Sequence, residues 1–416
     1  MTIQPAATSH RQTQNSVLSR WQATSRQHLI TLLVGFWLMV GIFVDGWAHN
    51  HLSETLETFF TPWHAVFYSG FLATALWTSW LGRLGYAQGQ RGLAVFPDGY
   101  ELGAAGVVVF ALGGLGDMTW HTLLGIEVGL DALLSPTHLL LFLGAELLVL
   151  SPLVACWRAP TSRRAAAGLV WPAVLSMSAA LSFASFMHMY VWALVNLPSA
   201  ATYDGARSML SATLLSALML AAPVLLLLRR WHLPFGAVGL MYLTNTALMG
   251  GMLGTQTNVL LVVLLALFAG LAADLLIVWL RPSPGRTLAY RVFATLLPLL
   301  LWVPFFAGVQ RLNLLGASLE LWTGVCVMAA LGGLVLSALI VPPKLPAEAQ
   351  EEGAGQDKLA AGYGVIRIPV KSRVSRHWED GVLDGLQVSR IQEKSGPDAF
   401  QADLGCLELS VFPGHS

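Results

Sequence analysis

Long apolar runs separated by short polar stretches fill residues 28–341. A bilayer core needs about 20 mostly apolar residues per crossing helix. Ten runs meet that length, at approximately 28–48, 62–82, 101–121, 136–157, 167–194, 206–228, 234–254, 258–280, 288–309 and 317–341. The pattern predicts an all-α polytopic integral membrane protein of about ten transmembrane helices. The seventh run carries Thr244, Asn245 and Thr246, so it is expected to pack on protein rather than lipid. Residues 1–27 are polar and lack the apolar core of a cleavable signal, which leaves the first helix as the expected insertion signal. Residues 342–416 hold no spanning run. They read as a short cytoplasmic tail, a Pro/Ala/Glu/Gly linker followed by a small or disordered segment. Within the tail, 364–374 alternates like a short strand whose Pro369 suits an edge.

Composition narrows the class. Of 416 residues, 55% are hydrophobic and 11% charged, against about 25% charged in soluble domains. An ordinary water-soluble enzyme is excluded. The 23 basic and 23 acidic residues cancel, which speaks against a nucleic-acid partner. Cys156, Cys326 and Cys406 are too far apart for a CxxC pair, so a thiolate zinc or iron–sulfur motif is excluded too. Arginine placement sets an orientation. Arg11, Arg20, Arg26, Arg83, Arg91, Arg158, Arg163, Arg164, Arg229, Arg230, Arg281, Arg286 and Arg291 fall at one set of helix ends, and only Arg207 and Arg311 at the other. By the positive-inside rule both termini are expected in the cytoplasm, in a multi-pass protein of the plasma (cytoplasmic) membrane.

The candidate chemistry sits in a repeat. Asp45-Gly46-Trp47-Ala48-His49 ends the first helix and Asp117-Met118-Thr119-Trp120-His121 ends the third, both D-x-x-x-H. After a loop, Thr61-Pro62-Trp63-His64 opens the second helix and Ser135-Pro136-Thr137-His138 opens the fourth. The two N-terminal helix hairpins therefore read as duplicated copies. Residues four apart share a helix face. Thr61 and Ser135 are suited to cap their helices, with Pro at the first helical position. His64 and His138 then lie in a first turn, where the helix dipole favours neutral imidazole, the metal-binding form.

Asp45, His49, His64, Asp117, His121 and His138 are the candidate metal ligands, with His188 in the fifth helix as an extra one. The donors are imidazole and carboxylate, suiting a divalent or redox metal ion such as Zn, Cu or Fe. Glu57 and Asp131 are candidates for a general base or for orienting the imidazoles. His51, two residues past His49, is expected to point elsewhere. Among the deeper acids, Glu146 lies two turns below His138, and Asp274 is expected to pair with Asn245 or Thr246. Asp45, His49 and the later His64 resemble the metal-binding helix region of the C subunit of copper membrane monooxygenases over those few residues. The chain departs from that pattern in its spacings of 14 and 16 residues between histidines, in the duplication and in the ten-helix architecture.

The composite expectation is a metal-dependent membrane enzyme that oxidises or hydrolyses an apolar or lipid substrate drawn from the lipid bilayer. Two other readings use the same residues: a metal-ion or proton transporter, and a structural polar cluster without metal. Paired-histidine haem ligation fits less well, because an Asp accompanies each His. An oligomer is compatible with the mostly apolar second half. Nucleotide-loop, HExxH, GxSxG and CxxCH motifs do not occur.

Overall fold

The computed structural model describes residues 20–52, 60–125, 129–164, 167–195, 197–254, 259–312, 316–343, 364–369 and 406–411. The chain divides into two compact units, Met1–Pro342 and Pro343–Ser416.

In the first unit the described elements are helices: α1 Ser25–His51, α2 Pro62–Ala87, α3 Glu101–Leu124, α4 Leu130–Leu134, α5 Pro136–Val149, α6 Ser151–Arg158, α7 Ala167–Met187, α8 Tyr203–Arg230, α9 Ala237–Leu253, α10 Val259–Leu280, α11 Thr287–Arg311 and α12 Leu319–Ile340. Eight of the runs, counting α5 and α6 as one, are long and apolar enough to cross a membrane. Two further predicted runs fall short of that measure. The 26-residue α2 is less apolar, and α9 is apolar but only 17 residues long. Large side chains such as Leu33, Leu72, Leu115, Leu264 and Leu331 stand exposed, an apolar surface too extensive for a protein facing water. The unit is the helical membrane bundle that the apolar pattern implies.

The fourth predicted helix is broken. Pro152 has no N–H to donate to the preceding turn, and α5 gives way to α6 at Leu150. Ser176 of α7 repairs the gap. Its hydroxyl donates to the Val149 carbonyl at 2.5 Å and accepts the Leu153 N–H at 3.1 Å. Ser216 of α8 does the same beyond the end of α7, donating to Val191 O and accepting from Ala193 N, each at 3.1 Å.

α9 is buried as its polar residues imply, with Asn245 and Thr246 fully covered. Asp274, however, does not pair with either. Its two carboxylate oxygens accept the N–H groups of Val238 and Gly239 at 3.1 and 3.0 Å. The first turn of α9 follows the left-handed Gly236, which has no side chain to cap it, so its free N–H groups need an acceptor from another helix. Asn245 instead donates to Ser185 Oγ at 2.9 Å.

Two helix crossings set up the site. An added Cβ on Gly41 of α1 would lie 2.5 Å from Phe67 Cα of α2, and one on Gly70 of α2 would lie 2.7 Å from Leu38 Cα. In α3 and α5 the corresponding figures are 2.8 Å from Gly113 to Leu141 N and 2.6 Å from Gly144 to Phe110 N. Only glycine permits backbones this close. Gly41 and Gly113 each lie one turn before the aspartate of a D-x-x-x-H, and Gly70 and Gly144 each lie six residues after the second histidine.

The second unit carries one departure from an all-α chain. Strands β1 Gly364–Pro369 and β2 Cys406–Val411 pair antiparallel, from Gly364 opposite Val411 to Pro369 opposite Cys406. β1 matches the start of the alternating stretch in the sequence, and Pro369 stands at its end.

Candidate metal centre

Two Asp/His/His triads lie at one end of the first unit. Asp45 and His49 sit in the last turns of α1, Asp117 and His121 in those of α3, and His64 and His138 in the first turns of α2 and α5. The caps are local. Thr61 Oγ1 accepts the His64 N–H at 3.1 Å and Ser135 Oγ accepts the His138 N–H at 3.4 Å, each followed by Pro at the first helical position. Because α1 and α3 end where α2 and α5 begin, short connections return the second histidine to the first pair.

In each triad one donor atom per residue converges, all within 4.8 Å of one another. His49 Nε2 lies 3.6 Å from Asp45 Oδ2, and His64 Nε2 lies 3.6 Å from Asp45 Oδ1. His121 and His138 each place Nε2 at 3.3 Å from the same atom, Asp117 Oδ1. N–H···O bonds usually run about 2.7 to 3.2 Å. Two ligand atoms about 2.1 Å from one ion at a tetrahedral angle lie about 3.4 Å apart. The spacings fit the edge of a coordination polyhedron and the long end of a hydrogen bond. Asp45 Oδ1 is buried and makes no hydrogen bond among the described residues.

The two triads also adjoin. Ring centroids run 5.8 Å from His49 to His64, 6.4 Å from His64 to His121 and 5.8 Å from His121 to His138.

The other sequence candidates lie apart. His188 belongs to neither group; past the end of α7, its Nδ1 lies 2.7 Å from its own helix's Ala184 carbonyl. Asp131 is exposed near the start of α4 and joins neither group. Glu57 lies outside the described residues. His51 points away as expected, with Nδ1 2.9 Å from Trp47 O and its ring stacked on Trp47. Glu146 lies in the last turn of α5 and is half-buried.

Two neighbours escaped the sequence reading. Tyr68 Oη donates to Asp117 Oδ2, and Thr137 Oγ1 donates to Asp117 Oδ1, each at 3.4 Å. Tyr68 lies one helical turn past His64, and Thr137 directly precedes His138. That spacing was a usable signal, but neither residue type is itself an expected ligand. No protein-family model, curated protein or solved structure matches this chain.

Proposed function

We propose that the two triads hold metal ions and that the chain is a metal-dependent membrane enzyme acting on an apolar or lipid substrate. The observation that carries this reading is the convergence of one carboxylate oxygen and two imidazole Nε2 atoms in each triad within 4.8 Å. Three protein ligands leave a coordination position for water or a reactant, as in catalytic rather than closed structural sites. An ion held this way supplies Lewis acidity or redox chemistry. The chain's own residues hold the ion and admit an apolar reactant from the bilayer.

The matched glycine crossings and D-x-x-x-H positions support reading the two hairpins as copies of one unit. Positive-inside counting supports cytoplasmic termini and a centre on the outer side of the membrane. A transport reading needs polar groups continuing across the bundle. Asp274 is already engaged in capping α9, which weighs against it.

Elemental analysis of the purified protein tests the proposal. Wild type is expected to retain metal, His49→Ala and His121→Ala to retain less, and His188→Ala to match wild type. Absence of metal from wild type reloaded with Zn²⁺, Cu²⁺ or Fe²⁺, or equal content in wild type, His49→Ala and His121→Ala, refutes it.

A further inference from the structure

The two triads share residue types but not surroundings. In the Asp117 triad every ligand has a second partner. Asp117 receives Tyr68 Oη on one oxygen and Thr137 Oγ1 on the other. His138 Nδ1 lies 2.7 Å from Ser135 Oγ, and His121 Nδ1 lies 3.4 Å from Gly125 O. Both imidazoles are thereby turned with Nε2 toward the single atom Asp117 Oδ1. The Asp117 side chain is 1% exposed, His121 4% and His138 27%.

The Asp45 triad is looser. Asp45 divides its two oxygens between the histidines, accepts no hydrogen bond at Oδ1 among the described residues, and is 16% exposed. His49 is 32% exposed and His64 8%. Outer partners that fix imidazole and carboxylate orientation typically change metal affinity by about 10- to 100-fold. Preorganisation and burial therefore favour the Asp117 triad, whereas exposure favours exchange at the Asp45 triad.

Resting on the metal reading above, we propose that the triads form one paired centre of two unequal metal positions. The Asp117 position holds a resident ion and fills first. The Asp45 position is exchangeable and is the one that a small reactant reaches. Tyr68 and Thr137 are positioning residues for the resident ion. The pairing follows from the 6.4 Å separation of the His64 and His121 rings, close to the 5.8 Å within each triad.

The test titrates full-length, chelator-stripped protein with Cu²⁺, followed by calorimetry and electron paramagnetic resonance. The first equivalent is expected to bind about 10- to 100-fold more tightly than the second and to give the spectrum of an isolated ion. The second is expected to broaden that spectrum through spin coupling. Asp45→Ala should keep the tight, uncoupled equivalent. Asp117→Ala should keep only the weak one. Tyr68→Phe, which retains the ring and its packing, should weaken the first equivalent and leave the second unchanged. Two equivalents of equal affinity overturn the inequality, and two uncoupled equivalents overturn the pairing; in both cases the metal reading survives. Failure of wild type to bind any Cu²⁺, Zn²⁺ or Fe²⁺ overturns the metal reading itself. An unchanged first equivalent in Tyr68→Phe overturns the positioning role.

Discussion

At one end of the helices α1, α2, α3 and α5, Asp45 and Asp117 face imidazoles; toward the start of α3, Asp98 and Glu101 face guanidinium groups. Arg20 Nη1 lies 3.0 Å from Glu101 Oε1, Arg158 Nη1 lies 3.0 Å from Asp98 Oδ1, and Arg158 also reaches Glu101. These carboxylates have cations at hydrogen-bond distance and are complete as they stand. At the imidazole end the four carboxylate–nitrogen distances are 3.3 to 3.6 Å, and the partners carry charge only when protonated. The same acid therefore serves two purposes. Against arginine it closes an ion pair that ties the chain before α1 to α3 and α6. Against imidazole it stands in a group of donor atoms that, on the proposed reading, a cation completes.

This contrast can be broken most directly by removing the acids. Saturating metal should raise the melting temperature of wild type. At 100-fold excess over Kd the added stability per ion is about 2.7 kcal/mol. Asp45→Ala and Asp117→Ala should each lose one ion's share, measured by thermal melts with and without chelator. An undiminished metal-dependent rise in the double variant removes the distinction between the two ends.

The next largest effect belongs to the crossings. Gly41→Val forces side-chain atoms into the Phe67 backbone, and overpacking of this kind costs about 1–3 kcal/mol. Metal bound by the Asp45 triad should fall with stability, while the Asp117 triad keeps its ion, as metal analysis of the folded fraction checks. Ser176→Ala leaves Val149 O and Leu153 N without their bridge, at about 1–3 kcal/mol. It serves the break between α5 and α6, away from the two triads, so metal content should stay constant while the melting point drops. The smallest effect is expected from Arg158→Ala. Its side chain is 43% exposed, and screened pairs of this kind contribute about 1 kcal/mol or less. Melting in low and high salt should show the difference shrinking as salt rises, with metal content unaltered.

Much of the site was legible because its parts are local. Asp45 with His49, and Asp117 with His121, share a face wherever a helix forms, and Thr61-Pro62 and Ser135-Pro136 start helices by their own chemistry. His188 looked equivalent by depth in the sequence, yet α7 ends one residue before it and its ring turns back to Ala184. Asp131 sat seven residues before His138, as Glu57 did before His64. A short separate helix, α4, carries Asp131 outward instead. Asp274 was assigned to polar side chains because those are visible in a sequence, whereas its real partners are backbone N–H groups exposed by a helix start.

The sequence by itself determined the apolar runs, the capped helix starts and the two D-x-x-x-H faces, because helix periodicity and capping act over a few residues. Only the tertiary structure decided that glycine crossings bring His64 onto Asp45 and His138 onto Asp117, that the two triads adjoin, and that Tyr68 and Thr137 hydrogen-bond to Asp117. Those outcomes depend on the close approach of whole helices, and the separation of two backbones is a property of the packed bundle rather than of any one segment.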